Sequence, residues 1–210
     1  MNEPSEFPPF RLVVLASGNG TNLQAILDAC DNGTLPAEVV AVISDRKNAY
    51  ALQRAIERGI PALYRPWGPY QKAGKLRTTY DLDLAVLVSL YEPDLIILAG
   101  WMRLLTMSFL EHFPEMVINL HPALPGAFPG TDAIARAFHA FQRGEISHTG
   151  VMVHFVPDEG VDEGPVIATE IVPIFPDDTL ETLEVRVHET EHRVLVEAIG
   201  KVLEEFSEEE

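Results

Sequence analysis

Residues 11–30 read RLVVLASGNGTNLQAILDAC, and the fold is decided here. After Arg11, residues 12–16 are a continuous apolar run, as expected of a strand buried on both faces of a sheet. Gly18 and Gly20 then break the run. From Leu23, the residues Ile26, Leu27 and Cys30 follow at spacings of three, four and seven, the stripe of an amphipathic helix. Strand, glycine corner and helix together open a doubly wound α/β sheet, whose ligands bind at such corners.

The same alternation continues outward. EVVAVIS (38–44) repeats the buried strand, and NAYALQRAIERG (48–59) reads as a helix with a glycine stop. IPALYRPWGPYQKAG (60–74) carries prolines, glycines and aromatics and reads as a loop around at most a short strand. A helix over 76–91, the strand DLIILAG (94–100), a short helix at TMSFLEHFP (106–114) and the strand MVINLHP (116–122) follow. This predicts an α/β, doubly wound, mostly parallel sheet. The second half differs. TDAIARAFHAFQRG (131–144) is a helix with a threonine or aspartate start. Residues 148–174 give an antiparallel strand pair, and 179–206 give one long closing helix. We expect a disordered segment over 1–10, a single domain over 11–206 and an acidic tail over 207–210.

Composition narrows the class. A chain of 210 residues buries enough surface to need no disulfide or metal staple. The lone Cys30 sits on an apolar stripe, which reads as core and suits a reducing compartment. MNEPSEFPPF has neither the basic nor the apolar region of a secretory signal, and no apolar run reaches the ~20 residues of a membrane span. A cytoplasmic location is therefore expected. The net charge of −17 repels nucleic acid and anionic membranes. Any anionic substrate must accordingly be held by locally focused donors.

Three features carry chemistry. In SGNG, backbone N–H groups meet the positive end of the following helix, a cradle for a single phosphate that needs no lysine. A dinucleotide fingerprint would need a small residue where Leu23 stands. Asp45, closing the second strand, is nevertheless placed like a ribose-binding acid, so a nicotinamide-dinucleotide-binding protein is the reading from another class.

The second feature is VINLHPALPG (117–126), where Asn119 and His121 look out together from a strand end. An amide and an imidazole so placed could stabilise an oxyanion or move a proton. His154, on the apolar strand VMVHFV, needs a polar partner. The loop after it offers Asp158, Glu159, Asp162 and Glu163, any one of which could set the His121 tautomer; spacing does not choose among them.

HETEH (188–192) matches the zinc-protease pattern, but Leu195 and Ala198 stand where its extended form requires glycine and histidine. A metal-free pair of histidines on a capping helix is expected.

Taken in order, SGNGTNLQAI, YEPDLIILAGWMRLL, INLHPALPGAFPG, HTGVMVHFVPDEGVDEGPVI and ETEH resemble the phosphoribosylglycinamide formyltransferase family, across nearly the whole chain from Arg11. The resemblance implies a Rossmann-like formyltransferase fold and formyl transfer from 10-formyltetrahydrofolate, as co-substrate and without metal, to the amine of glycinamide ribonucleotide in purine synthesis. It implies Asn119, His121 and Asp162 as the catalytic trio, with His154 in support. Gly18, Asn19, Gly20 and Thr21 would take the ribonucleotide phosphate, and Glu191 would contact the ribonucleotide. The folate would meet Arg77 with its glutamate tail, and elsewhere the run Trp101, Met102, Arg103, Leu104 and Leu105, and Asn119, Val156, Asp158 and Asp162.

Partners would be these small molecules only, with no nucleic acid or membrane, and the enzyme a monomer or homodimer. Two departures stand out: Ala123-Leu124-Pro125-Gly126 replaces the usual Ser-Leu-Leu-Pro, and Trp101 replaces a common phenylalanine. Formyltetrahydrofolate deformylase and methionyl-tRNA formyltransferase resemble the same region. Each usually carries a further domain for which little chain is left here.

Overall fold

The computed structural model describes residues 8–209. Strand β1 (Phe10–Leu15) leads through the glycine corner into helix α1 (Thr21–Asp31). Gly20 has φ +74°, and a Cβ there would sit 2.8 Å from the Cα of Ala51, so the corner accepts only glycine. The alternation continues as β2 (Ala37–Ser44), α2 (Tyr50–Glu57), β3 (Ala62–Tyr64), α3 (Gly68–Lys72), α4 (Arg77–Ser89), β4 (Leu95–Leu98), α5 (Met107–Leu110) and β5 (Val117–His121). Then come α6 (Ala133–Gln142), β6 (His148–Phe155), β7 (Val166–Pro173) and the closing helix α7 (Leu180–Glu209).

The seven strands form one sheet in the order β3-β2-β1-β4-β5-β6-β7. β1 to β5 are parallel, whereas β6 runs antiparallel to both β5 and β7. This is the predicted α/β class, with its antiparallel pair and long closing helix. Alternation along β1 divides the core in two. Leu12 and Val14 face α1 and α7, packing with Leu23, Ile26, Val187 and Leu195. Val13 and Leu15 face α4 and α5, packing with Tyr80, Leu84 and Phe109. Each fully buried side chain of this size contributes about 1.5–3 kcal/mol. The sheet order reverses between β1 and β4, so their carboxyl ends flank a crevice; the Ser17 N–H donates to the Gly100 carbonyl across it at 2.9 Å.

Four local expectations change. Residues 68–72 form a helix where a loop was read, because Tyr70 packs its ring against Trp67 and Tyr80 at centroid distances of 6.1 and 5.2 Å. Asp132 precedes α6 in a left-handed conformation without a side-chain cap. The α-helix α7 runs through Glu209, so residues 207–209 continue it, and Ser207 Oγ donates to the Leu203 carbonyl. Phe10 belongs to β1, and the rest of the expected disordered segment, residues 1–7, lies outside the described residues. Cys30 packs against the core as expected, and burial pushes its thiol up to about 11. Among the described residues no helix is long and apolar enough to cross a membrane.

The start of α7 is fixed by Asp178. Its carboxylate accepts two bonds of 2.8 Å from the Arg186 guanidinium, one of 2.7 Å from the Phe175 N–H and one of 2.9 Å from Thr182 Oγ1. The Arg186 bonds outweigh burial and hold this carboxyl well below the usual range. A depressed folded-state pKa contributes stability above the unfolded value of ~3.9 and loses it as pH falls below that. Asp178→Asn should therefore cost about 1–3 kcal/mol of unfolding free energy at pH 7. The gap to the parent should shrink at pH 3. Urea unfolding at both pH values checks this, and an equal gap at both would deny the carboxylate's role.

Candidate active site

Two pairing directions meet at the site. Parallel β5 ends in Asn119 and His121, and antiparallel β6 lays His154 directly opposite Asn119. Cross-strand partners of this kind bring their side chains together on one face. The loop after β6 then folds back and delivers Asp162, whose backbone is left-handed at φ +56°. Aspartate is among the few non-glycine residues that tolerate that region.

Asp162 is the hub. Its Oδ1 accepts from Asn119 Nδ2 at 3.0 Å and lies 3.6 Å from His154 Nε2. Its Oδ2 accepts from the Gly130 N–H at 2.8 Å and lies 3.2 Å from His121 Nδ1. Burial pushes this carboxyl up, but His154, the Gly130 N–H and His121 together outweigh burial and hold it below the usual carboxylate range. His154 Nδ1 sits 2.7 Å from the Phe155 carbonyl. A carbonyl only accepts, so Nδ1 carries a hydrogen. Nε2, 3.2 Å from Asn119 Nδ2, accepts from that amide when the ring is neutral and donates toward Asp162 Oδ1 when the ring is protonated. His121 Nε2 faces the Ala127 carbonyl at 3.4 Å, a long contact.

Of the four loop acids, the other three go elsewhere. Asp158 accepts from the Gly160 N–H within its own turn, Glu159 holds the Met107 N–H that opens α5, and Glu163 is exposed.

These groups stand in the wall of a cavity of about 720 Å³. Trp101, Met102, Arg103, Leu104 and Leu105 form its opposite side, and Val156 and Asp158 also line it. Trp101 and Leu105 are buried, whereas Met102 and Leu104 form an apolar lip. Arg77, expected here, is not part of the lining. It lies along the neighbouring α4, with Nε 3.0 Å from both Asp81 oxygens, Nη2 on the Leu104 carbonyl and the guanidinium over Trp67 and Tyr80. It thereby supports the 101–105 wall from behind, and Asp81 accepts the Thr106 N–H at 3.0 Å in the same framework. The altered run after His121 packs inward: Ala123 is fully buried, and Leu124 fills the space that a side chain at Gly150 would need.

The Gly18–Thr21 corner lies beside the cavity rather than in its lining. The Met102 N–H and Asp45 both bind Ser17 Oγ, at 3.0 and 2.6 Å, which ties the corner to the cavity wall. Asp45 is buried, accepts from Ser17 Oγ and lies 2.7 Å from Arg103 Nε, so it is engaged within the wall rather than turned free toward a ribose. Behind the corner, Arg54 donates to the Asn19 carbonyl at 3.0 Å and to Gln24 Oε1 at 2.9 Å. Glu191 reaches across from α7, buried, with Oε2 held by His188 Nδ1 at 2.8 Å and Asn22 Nδ2 at 3.3 Å. HETEH therefore aims the second of its two glutamates, Glu191, at the start of α1. Among the described residues no group of three or more His, Cys, Asp or Glu could hold a metal ion.

The sequence model of formyl transferases matches residues 10–199. This chain belongs to the formyl transferase family. It is 48% identical over 200 residues to the phosphoribosylglycinamide formyltransferase of Schizosaccharomyces pombe, covering 91% of this chain and 96% of that one. The enzyme of that name from Dictyostelium discoideum is 47% identical, with 90% and 96% covered. Among solved structures, glycinamide ribonucleotide transformylase 1 of Symbiobacterium toebii aligns with a TM-score of 0.85 at 43% identity, covering 95% of this chain and 90% of that one.

Within this formyl transferase, three participants escaped the sequence reading. Gly130 contributes a backbone N–H, which leaves no mark in a sequence. Glu159 was one undistinguished acid among four. Arg46 lines the cavity just beyond β2, and the rule that ligands meet the carboxyl ends of parallel strands could have flagged it.

If the facing donors hold Asp162 ionised, His154→Ala and His121→Ala should each raise its pKa. Carbon-detected NMR titration of the Asp162 carboxyl reads this, and an unmoved midpoint in both variants would refute the assignment.

Proposed function

We propose that this formyl transferase moves the formyl group of 10-formyltetrahydrofolate onto the primary amine of glycinamide ribonucleotide, in purine synthesis. The observation that carries the reading is the convergence of Asn119, His121 and an ionised Asp162 on one wall of a folate-sized cavity, beside a glycine corner built for a phosphate. Identity to enzymes named for this reaction supports it.

The amine attacks the formyl carbon, forming a tetrahedral centre whose oxygen becomes negative. Asn119 Nδ2 and protonated His121 are the donors facing that oxygen. Before substrate arrives, the Asn119 hydrogen not given to Asp162 and the His121 Nε2 position face only weaker or more distant partners, the His154 ring and the Ala127 carbonyl. An oxyanion is a stronger acceptor than either, so the exchange gains most in the transition state. Asp162 holds Nδ1 of His121, supports its positive charge and helps pass the amine proton toward the leaving folate nitrogen. Transfer is direct, with no formylated enzyme and no metal.

The phosphate of the ribonucleotide sits on the N–H groups of Gly18 to Thr21, with Arg54 behind them. Glu191, with Oε2 already held by two donors, offers its other oxygen to the ribonucleotide. The enzyme works in the cytoplasm as a monomer or homodimer, on small molecules alone. A hydrolytic deformylase would have no use for the phosphate corner and its Glu191 neighbour. A dinucleotide-binding reading loses its ribose acid, because Asp45 is occupied.

Asn119→Ala should lower kcat at least about a hundredfold, the cost of one oxyanion donor, with little change in ribonucleotide affinity. Asp162→Asn should be far more damaging than Asp158→Asn. Steady-state kinetics of the three variants test this. Near-normal turnover in Asn119→Ala, or equal losses in the two aspartate variants, would overturn the roles assigned here.

A further inference from the structure

The backbone of the cavity wall is thinly held. Between the end of β4 at Leu98 and the start of α5 at Met107 the chain has no regular structure. From Gly100 to Leu105, the backbone groups with a hydrogen-bond partner among the described residues are the Gly100 carbonyl, the Met102 N–H and the Leu104 carbonyl. Arg77 holds Leu104 at the far end. The other two are both held by Ser17, whose N–H donates to Gly100 at 2.9 Å and whose Oγ accepts from Met102 at 3.0 Å. So sparsely bonded a segment lies at the low-stability end of a structure.

Ser17 is also the residue immediately before the glycine corner, and its hydroxyl has a fixed direction. It is buried, as is Asp45. A carboxylate only accepts, so the hydroxyl hydrogen points to Asp45 Oδ1 at 2.6 Å, which leaves a lone pair of Oγ for the Met102 N–H. The other Asp45 oxygen lies 2.7 Å from Arg103 Nε but off the hydrogen-bond line, so this end of the chain has slack to take up. One polarised run of contacts thus leads from the edge of the corner to Met102 and Arg103 in the cavity lining.

We infer, on the functional reading proposed above, that Ser17 and Asp45 are positioning residues coupling the two substrate subsites, so that each substrate binds more tightly in the presence of the other. A phosphate held by the N–H groups of Gly18 to Thr21 fixes the backbone that carries Ser17. Ser17 in turn fixes Gly100 and Met102. The first ligand therefore orders both segments, and the second meets a wall already in place. Linkage makes the effect reciprocal: folate on the wall must tighten the ribonucleotide by the same factor. Neither side chain has to touch a ligand. An amide in place of the Asp45 carboxylate could donate to Ser17 Oγ as well as accept from it, and the direction of the hydroxyl would no longer be set.

The test uses tetrahydrofolate, which carries no formyl group and so forms a ternary complex with glycinamide ribonucleotide that cannot react. Calorimetric titration gives the affinity for each ligand with the other absent and with it saturating. In the parent protein each affinity should rise at least about fivefold when the other ligand is present, by the same factor in both directions. In Ser17→Ala, and in the isosteric Asp45→Asn should Ser17→Ala fail to fold, that factor should drop to about twofold or less. A residue that only stabilised the fold would weaken the separate affinities and leave the factor as it was. A parent factor near or below one, or the parent's factor kept in a folded variant, overturns the inference. If the parent binds no glycinamide ribonucleotide, the functional reading fails separately, and inorganic phosphate replaces the nucleotide. Fluorescence then decides the coupling, read as the share of emission that Trp101→Phe removes. Phosphate should change that share in the parent and not in Asp45→Asn; no change in the parent, or the same change in both, refutes it.

Discussion

Everything at this site depends on one carboxylate being held ionised where water barely reaches it. Asp162 has a side chain only 11% exposed, and an ion so placed is costly unless its lone pairs are filled. Here they are met from three separate parts of the chain: the end of β5, the next-to-last residue of β6 and the backbone at Gly130. None of the three could satisfy the carboxylate alone. The loop bearing Asp162 is thereby pinned against both strands, and the Glu159 bond to the start of α5 secures its near end. A left-handed aspartate backbone is tolerable under such constraint and would have little reason to persist without it.

The fold supplies those partners by changing direction once. A wholly parallel sheet would have continued β5 into another crossover helix and placed the next strand's carboxyl end alongside. Because β6 is antiparallel, its carboxyl end lies at the start of β5 and its own loop returns across the face that Asn119 and His121 occupy. The register shift between Val153 and His154, where β6 meets β7, falls beside the ring that must face Asn119. Bulges of this sort re-aim a side chain without interrupting the sheet. The Cβ that Gly164 lacks would sit 1.8 Å from the Phe155 carbonyl, so the returning loop passes as close to its strand as a backbone can.

Where a single chemical preference decided the outcome, the sequence was readable. Apolar runs of β1, β2 and β4 and the helical stripe of α1 gave the doubly wound order, since burial on two faces leaves no alternative pattern. Asn119 and His121 were legible for a similar reason: polar groups at i and i+2 on an otherwise apolar strand must face the same way. Other features depended on distant contacts. The helix at 68–72 follows from ring packing with Tyr80, and nothing in its own prolines and glycines announces it. Choosing Asp162 over its three neighbours required the resemblance to a family, because proximity in sequence says nothing about which acid a loop turns inward. Arg77 pairs with Asp81 one turn along, a contact that a charged residue at the start of a helix does not announce by itself.

The charge of the whole molecule then acquires a physical meaning. A chain at −17 must nonetheless hold a phosphate and a carboxylate-bearing folate, and it does not do so with a basic surface. Of the arginines around the cavity, Arg103 and Arg77 are tied to aspartates, which makes them rigid supports and largely removes them as charges. On the proposed function, the attraction left over would come from oriented N–H groups at the glycine corner and from few unpaired guanidinium groups. Electrostatic contacts of this kind act over only a Debye length, about 8 Å at physiological ionic strength. At the surface the net negative charge opposes the approach of other anions, whereas a small anion inside the cavity would meet chiefly the local donors.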